Sequence, residues 1–285
     1  MDANAITALT QRLREFEFSN EDFEALRTLV KEVTGIALSD QKRELVYGRL
    51  ARRLRALSLR SFREYRELLA SDSDEVVQFC NAITTNLTAF FREPHHFDHL
   101  RDEVLKPLAV RPPASRRFRI WSAACSTGEE PYTIAMTVLE AMGDPRGWDL
   151  RILATDLDSD VLSKASRGVY HEDRLRTLST ERKRRFFTPT LGAREPSFTI
   201  TPNLRQLITF KHLNLMHPFP MKGPFDAIVC RNVLIYFDKD TQRDLVGRMA
   251  RLQRPGDLLY LGHSESLFKV SNDYTLIGRT IYRRS

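Results

Sequence analysis

Hydrophobic residues recur at helical spacing through the first third of the chain. One stripe begins after Ser19 to Asp22, which offers an N-cap and an acidic first turn, and it ends at Gly35. The stripes of three predicted helices are Phe23, Leu26, Val30 and Val33; Val46, Leu50, Leu54 and Leu57; and Val76, Cys80, Ile83 and Leu87. A further helix near residues 95 to 105 precedes a proline-rich break. We therefore predict an all-α N-terminal domain over residues 1–92, with a linker helix and loop over 93–115.

After this break, short apolar runs alternate with helical segments. The runs are RIWSA (119–123), RILAT (151–155), AIVC (227–230) and LLYL (258–261), with helices expected from Pro131, from Ser159 and over 240–252. This alternation predicts an α/β domain over residues 116–285, with a parallel sheet covered on both faces. The segment of about 186–213 differs, because FTI (198–200) and LITF (207–210) are separated by turn-forming residues. It predicts a small antiparallel β-subdomain inserted in the α/β domain.

Polar residues follow the predicted strands where such sheets bind ligands, at their carboxyl ends. The first strand leads into a turn of small residues, Ala124 to Pro131, which lacks G-x-G-x-x-G and so disfavours a dinucleotide. Asp156 ends the second strand, where a carboxylate can accept both hydroxyls of a ribose; the alternative is that it caps the next helix. The strand AIVC leads into Arg231 to Phe237.

Composition narrows the class of protein. The 285 residues carry a net charge of +7, which favours an acidic partner: nucleic acid, an acidic membrane surface or a protein rich in carboxylates. No apolar stretch is long enough to span a membrane and the N-terminus lacks the apolar segment of a signal peptide, so we expect a cytoplasmic protein without membrane insertion. Cys80, Cys125 and Cys230 lack metal-ligand spacing; we predict buried thiols, no disulfide framework and no metal.

Five strings give a specific resemblance. They are TTNLTAFFRE (84–93), WSAACSTGEEPY (121–132), ATDLD (154–158), FDAIVCRNVLIYFD (225–238) and LGHSES (261–266). In this order they resemble the chemotaxis receptor glutamate methyltransferases, the CheR family, from about residue 20 to the end. The resemblance implies a helical N-terminal domain and a Rossmann-like methyltransferase domain with an inserted antiparallel β-subdomain. The implied activity is transfer of a methyl group from S-adenosylmethionine to receptor glutamates, which gives methyl esters and S-adenosylhomocysteine.

The resemblance also implies the cofactor contacts. Asn86, Thr88 and Arg92 would reach the cofactor from the first domain, with the Arg92 fork suited to the carboxylate of the methionine moiety. Glu130 matches an acid in the turn and Asp156 the ribose-binding acid. Asn214, Leu215, Asn232 and Val233 match positions beside the adenine and the sulfonium end. As alternatives, Asn86 could close a turn, and Leu215 and Val233 could be plain core.

The implied reaction needs no catalytic triad. A glutamate carboxylate is already ionised at neutral pH, so its oxygen can attack the methyl carbon without a general base. The protein then has to align the reacting atoms and exclude water. We infer that Arg231 and Tyr236 hold the incoming carboxylate as the catalytic residues; the alternative for Arg231 is a structural ion pair.

The expected partner is the cytoplasmic helical domain of methyl-accepting chemotaxis receptors. Arginines on the second predicted helix would dock it, unless they form an ordinary solvated face; they are Arg49, Arg52, Arg53 and Arg55. Nucleic acid is not expected, because 232–235 lack the N/D-P-P-Y/F/W string of amine methylation of bases. A nucleic-acid methyltransferase and a non-catalytic cofactor-binding regulator remain alternatives. We expect a monomer. Some CheR relatives bind a receptor C-terminal peptide at the β-subdomain, but Pro189 and the single Gly192 in its turn predict weak or absent binding here.

Overall fold

A computed structural model describes residues 14–112, 117–143 and 147–285. The chain divides into two compact units, one ending at Thr85 and the other beginning at Asn86. We had placed the end of the helical domain at residue 92. The structure assigns residues 86–92 to the second unit, because their hydrogen bonds go to Ser126, Asp158 and Arg174 of that unit. No helix of the described ranges is long and apolar enough to cross a membrane.

The first unit, in its described part, is a bundle of helices. Its α-helices are α1 (Asn20–Thr34), α2 (Arg43–Ala56), α3 (Phe62–Ser71) and α4 (Ser73–Ile83), with a 3-10 turn at Asp40–Lys42. The predicted start and stop of α1 are confirmed. Ser19 and Asp22 form a reciprocal capping box, and Gly35 adopts a left-handed conformation with φ of 75°. The predicted apolar stripes pack against one another in one core, with Phe62 and Tyr65 of α3 added to it. The exception is Leu87, because α4 ends at Ile83 and the Leu87 side chain is 76% exposed.

The second unit is built around a sheet, with helices between its strands. Its helices are α5 (His95–His99), a π-helical stretch (Leu100–Leu105), α6 (Lys106–Ala109), α7 (Glu129–Met142), α8 (Ser159–Arg167), a 3-10 helix (Glu172–Leu175), α9 (Thr180–Phe186), α10 (Pro202–Arg205), a 3-10 helix (Leu234–Tyr236) and α11 (Lys239–Ala250). Its strands are β1 (Arg117–Ala123), β2 (Asp149–Asp156), β3 (Val169–His171), β4 (Phe187–Pro189), β5 (Ser197–Ile200), β6 (Ile208–His212), β7 (Ala227–Cys230), β8 (Leu258–Leu261), β9 (Tyr274–Gly278) and β10 (Ile281–Arg284).

The large sheet has seven strands in the order β6-β2-β1-β7-β8-β10-β9. The first five are parallel, and β10 pairs antiparallel with both β8 and β9. The chain proceeds from β1 to one side through β2 and to the other side through β7, so the strand order reverses beside β1. In open α/β sheets, ligands bind outside the carboxyl ends of the strands at such a point. The α/β fold with an all-α first domain is confirmed.

The inserted sheet begins and ends earlier than the predicted segment of about 186–213. It contains three antiparallel strands in the order β3-β5-β4, so its first strand starts at Val169 rather than near residue 186. Residues 208–212, which we had assigned to it, instead form the edge strand β6, parallel to β2 from Ile152↔Ile208 to Asp156↔His212. Periodicity could not make this distinction, because a short apolar run has the same pattern in either kind of sheet.

Candidate active site

The carboxyl ends of β1, β2, β6 and β7 meet at one edge of the large sheet. Ala123 at the end of β1 pairs with Thr155, and Asp156 pairs with His212 at the end of β6. The N–H of Leu213 donates to the carbonyl of Asp156 at 2.9 Å, which places Asn214 directly beyond this edge. On the other side, β7 runs beside β1 and ends at Cys230, just before the predicted Arg231 and Asn232. The sheet therefore brings together segments far apart in sequence.

The turn after β1 folds back onto the end of β2. Ala124, Ser126 and Gly128 have φ angles of 60°, 50° and 96°, in the left-handed region that favours glycine. A Cβ at position 128 would lie 2.8 Å from the hydroxyl of Tyr170, so glycine is required there. The turn aims the N–H of Ser126 at a carboxylate oxygen of Asp156, at 2.7 Å. The predicted turn of small residues thus leaves backbone at the edge where a ligand would bind.

Asp156 is a buried carboxylate, with 6% of its surface exposed. Its two oxygens accept the N–H groups of Ser126 and Asp158, at 2.7 and 2.9 Å. Burial raises the pKa of Asp156 to about 6, although these hydrogen bonds act to lower it. It does not cap α8, because Asp158 does so by accepting from Asp160 and Val161. Because burial disfavours the ionised form of this carboxylate, further hydrogen-bond donors would stabilise it. A ligand with two hydroxyl donors, such as a ribose, fits this requirement.

Asn86 and Thr88 lie in the second unit, and Asn86 contacts the two turns that meet at Asp156. The side-chain amide of Asn86 donates to Asp158 at 2.8 Å, and the backbone carbonyl of Asn86 accepts from the hydroxyl of Ser126 at 3.2 Å. Asn86 therefore ties its own segment to both turns that meet at Asp156. The carbonyl of Thr88 accepts from Arg174 at 3.0 Å, and Arg174 also pairs with the fully buried Glu129.

A buried ion-pair network lies behind the turn after β7. The side chain of Arg231 is 2% exposed and lies 3.2 Å from Glu130 and 3.4 Å from Glu93. It also donates to the carbonyl of Arg92, and its guanidinium carbon is 5.3 Å from the ring centre of Phe97. The structure therefore supports the ion-pair alternative for Arg231. Our prediction that it holds an incoming carboxylate is not supported, because two carboxylates already occupy the guanidinium.

Glu130 and Glu93 share the charge of Arg231. Burial raises the pKa of Glu130, while Arg231 and a 2.7 Å hydrogen bond from Ser122 act to lower it. Burial also acts to raise the pKa of Glu93, but a hydrogen bond from His263 and the charge of Arg231 outweigh it and lower the pKa to about 2. Glu93 was not among the predicted site residues, although it ends the string TTNLTAFFRE.

Arg92 and Tyr236 are both partly exposed. The guanidinium of Arg92 donates to the carbonyl of Leu87 at 2.8 Å and, within the described ranges, forms no ion pair. It is thus able to bind a ligand carboxylate. Tyr236 lies in the 3-10 turn that follows Asn232 and Val233.

The remaining predicted contacts flank the edge on both sides. Asn214 is 7% exposed, and its side-chain oxygen accepts the N–H of Met216 at 2.9 Å. Leu215 and Val233 are 8% and 7% exposed, which is compatible with core packing as well as with a ligand contact. The N–H groups of Asn232 and Val233 both donate to Glu265, which sequence reasoning missed. The available signal was its place in LGHSES, a string to which we had given no role.

The four arginines predicted to dock a substrate have different environments in the first unit. Arg49 donates to the carbonyl of Thr84 at 2.8 Å and so caps the end of α4. Arg53 holds Glu75 through two nitrogens, and the Glu75 side chain is 5% exposed. Arg55 pairs with Glu15 at the surface, and Arg52 is exposed without an ion pair among the described residues. Arg49 and Arg53 therefore bind inward, and the docking prediction is left with Arg52 and Arg55.

The three cysteines are free and buried, as predicted. Burial raises the pKa of each thiol, that of Cys80 to about 11. Among the residues that the structure describes, no group of three histidine, cysteine or acidic side chains could hold a metal ion.

Comparisons with known proteins agree with the resemblance in the five strings. Residues 21–84 match the family described as "CheR methyltransferase, all-alpha domain", and residues 86–283 match "CheR methyltransferase, SAM binding domain". The chain is 45% identical to chemotaxis protein methyltransferase 2 of Pseudomonas aeruginosa, over 94% of this chain and 95% of that one. It is 41% identical to the chemotaxis protein methyltransferase of Escherichia coli, over 97% and 95% of the two chains. The chain therefore belongs to the CheR methyltransferase family, whose cofactor is S-adenosylmethionine.

Proposed function

We propose that this chain is a protein-glutamate O-methyltransferase that acts on the cytoplasmic helical domain of chemotaxis receptors. The observation that carries the proposal is the buried carboxylate of Asp156 at the carboxyl edge of the sheet, in a chain whose two units both match the CheR family. The receptor as substrate is supported by the relatives, which are named chemotaxis protein methyltransferases over nearly their whole length.

The residues at the edge suit the parts of the cofactor. Asp156 would accept the ribose hydroxyls, because its buried carboxylate gains from added donors. Arg92 would bind the carboxylate of the methionine moiety through its unpaired guanidinium. Asn86, Thr88 and Glu130 would line one side. Asn214, Leu215, Asn232 and Val233 would line the others. When bound, S-adenosylmethionine supplies an electrophilic methyl group, and it leaves as S-adenosylhomocysteine.

The substrate side requires little proton chemistry from the protein. A glutamate side chain has a pKa near ~4.3 and is ionised at neutral pH, so no base has to remove a proton from it. An anionic substrate would be repelled by the acids behind the β7 turn if they were unpaired. Arg231 lies within 3.4 Å of both Glu93 and Glu130, so its single positive charge reduces the repulsion from the two acids. We propose that this reduction is the contribution of Arg231, and that Tyr236 contacts the incoming carboxylate.

The first unit supplies exposed positive charge for an acidic receptor surface. Arg52 and Arg55 project from α2 into solvent, whereas Arg49 and Arg53 are used inside the unit. Opposite charges raise the rate at which partners meet, and salt weakens the effect. We therefore propose that this unit docks the receptor helices through Arg52 and Arg55. We also propose that the enzyme acts as a monomer.

A methyl-transfer assay tests this proposal. The purified protein is incubated with tritiated-methyl S-adenosylmethionine and either receptor cytoplasmic fragments or nucleic acid. We expect label on the receptor fragment that base releases, because glutamyl methyl esters are base-labile, and none on nucleic acid. Base-stable label, or label on nucleic acid alone, would contradict the proposal. Binding of S-adenosylhomocysteine by folded protein without any transfer would identify a non-catalytic binding protein instead.

A further inference from the structure

The string LGHSES contains a buried acid for which the proposed reaction gives no role. Glu265 is 5% exposed. Its Oε2 accepts the N–H groups of Gly262 and Asn232 at 2.5 and 2.9 Å, and its Oε1 accepts that of Val233 at 2.7 Å. A longer contact of 3.4 Å reaches the N–H of Ile235. One carboxylate therefore holds backbone groups from two loops, the one after β7 and the one after β8.

The loop after β7 has a conformation that suits such an anion. Asn232 has a φ of 60°, in the left-handed region that asparagine adopts more readily than most non-glycine residues. With this twist, the successive N–H groups of Asn232 and Val233 converge on one point, which is how backbone amides form a site for an anion. Without the carboxylate, the N–H groups of Asn232 and Val233 would lose their acceptor, which costs free energy for buried donors.

The loop after β8 fits closely against the first loop. A Cβ on Gly262 would lie 2.4 Å from the side-chain nitrogen of Asn232 and 2.8 Å from its backbone nitrogen. Only glycine permits this approach. The two loops therefore contact each other closely at Asn232, and the carboxylate of Glu265 accepts hydrogen bonds from both.

We propose that Glu265 is a positioning residue, which holds Asn232 and Val233 in the conformation that binds the cofactor. This inference rests on the proposed function, since Asn232 and Val233 are cofactor contacts in that proposal. Glu265 acts through the backbone of these two residues and not by touching the cofactor. Its effect is therefore expected in the protein without ligand as well as in binding.

The variant Glu265→Gln tests the inference at nearly constant volume. One carboxylate oxygen becomes an NH2 group, which faces N–H donors instead of accepting from them. The matched control is Ser179→Ala, which removes the cap of α9 in the same unit, where the Ser179 hydroxyl accepts the N–H of Arg182 at 3.2 Å. Glu265→Asp, whose carboxylate is one methylene shorter, is the second variant should Glu265→Gln not fold.

Hydrogen exchange and calorimetry are the two readouts, and circular dichroism checks that each variant is folded. In ligand-free protein, hydrogen exchange of the amides of Asn232 and Val233 should be faster in the Glu265 variant than in wild type and unchanged in the control. In calorimetry, the variant should bind S-adenosylhomocysteine about tenfold more weakly, which corresponds to ~1.4 kcal/mol and to one unsatisfied buried donor.

The outcomes separate this inference from the proposed function. A folded variant with unchanged exchange, or with faster exchange and wild-type affinity, would overturn the positioning role alone. Wild-type protein that binds no S-adenosylhomocysteine would overturn the proposed function and this inference with it.

Discussion

The ionisation of Asp156 should control cofactor affinity near pH 6. Its pKa in the ligand-free protein is about 6, raised from 3.8 mainly by burial. Ribose hydroxyls that donate to the carboxylate favour its ionised form, so the pKa of Asp156 should be lower in the complex. Affinity is then greatest where Asp156 is already ionised, and it falls as pH drops through 6. The replacement Asp156→Asn removes the titration.

The magnitude follows from one titrating group. With a pKa of about 6 in the free protein, the dissociation constant for S-adenosylhomocysteine should rise about tenfold between pH 7 and pH 5. Asp156→Asn should bind more weakly than wild type at pH 7 by roughly 1.5–3 kcal/mol, the range for hydrogen bonds to charged groups. Its affinity should not depend on pH, so its deficit relative to wild type should shrink by about 1.4 kcal/mol, a factor of about ten, between pH 7 and pH 5.

The fold should tolerate this replacement. Folding raises the pKa of Asp156 from 3.8 to about 6. The free energy of unfolding therefore falls as pH rises from about 4 to 6, and an uncharged amide at this position avoids that loss. The amide still accepts one N–H, although its NH2 group must face the other of the two donors, from Ser126 and Asp158. Urea unfolding of the variant at pH 7 measures the balance.

Calorimetric titration with S-adenosylhomocysteine from pH 5 to 7 is the assay. The α-amino and α-carboxyl groups of the ligand titrate outside this range. Asp160→Asn is the matched control, since it removes an exposed acid from the start of α8, the helix that follows β2. Wild-type affinity that stays flat from pH 7 to 5, or a slope that persists in Asp156→Asn, would refute the ribose-binding role of Asp156.

Three further predictions concern stability, the substrate and the β-subdomain. Arg53→Ala should lower the free energy of unfolding by roughly 2–4 kcal/mol in urea, because it leaves Glu75 buried and unpaired; an unchanged midpoint would contradict this. Joint reversal of Arg52 and Arg55 to glutamate should raise the KM for receptor fragments at low salt without changing cofactor affinity; identical kinetics would exclude docking there. Receptor C-terminal peptides should show no saturable binding below about 100 μM, and a low-micromolar complex would overturn this prediction.

The residues predicted best from sequence were those at the ends of buried strands. RIWSA, RILAT, AIVC and LLYL are mostly apolar, because both faces of the parallel sheet are covered, and each lies in a strand of the structure. The strand end then located Asp156 without further information. Edge elements gave weaker signals. In the strand Ile208–His212 most side chains are partly or fully exposed, so its apolar pattern is weak. The strands β9 and β10 were not predicted at all.

The ion pairs and loop contacts could not be predicted from the local pattern. Arg231 and Glu130 are 101 positions apart, and Glu265 is 33 positions from the N–H of Asn232 that it accepts. Each is an ordinary charged residue in its own segment, and only the folded sheet brings the partners together. The same holds for Arg53, whose partner Glu75 lies on another helix. The spaced arginines of α2 predicted a docking face, although two of them, Arg49 and Arg53, bind groups within the first unit.

The central claim, methylation of receptor glutamates, is tested most directly by identifying the side chain that receives the methyl group. Receptor cytoplasmic fragments are incubated with the purified protein and S-adenosylmethionine, digested, and sequenced by tandem mass spectrometry before and after mild base. The account predicts methyl groups on glutamate side chains of the receptor helices, removed by base and at least about tenfold fewer when Asp156→Asn replaces wild type at limiting cofactor. Methyl groups on lysine, arginine or a backbone terminus, or no transfer by protein that binds S-adenosylhomocysteine, would contradict it.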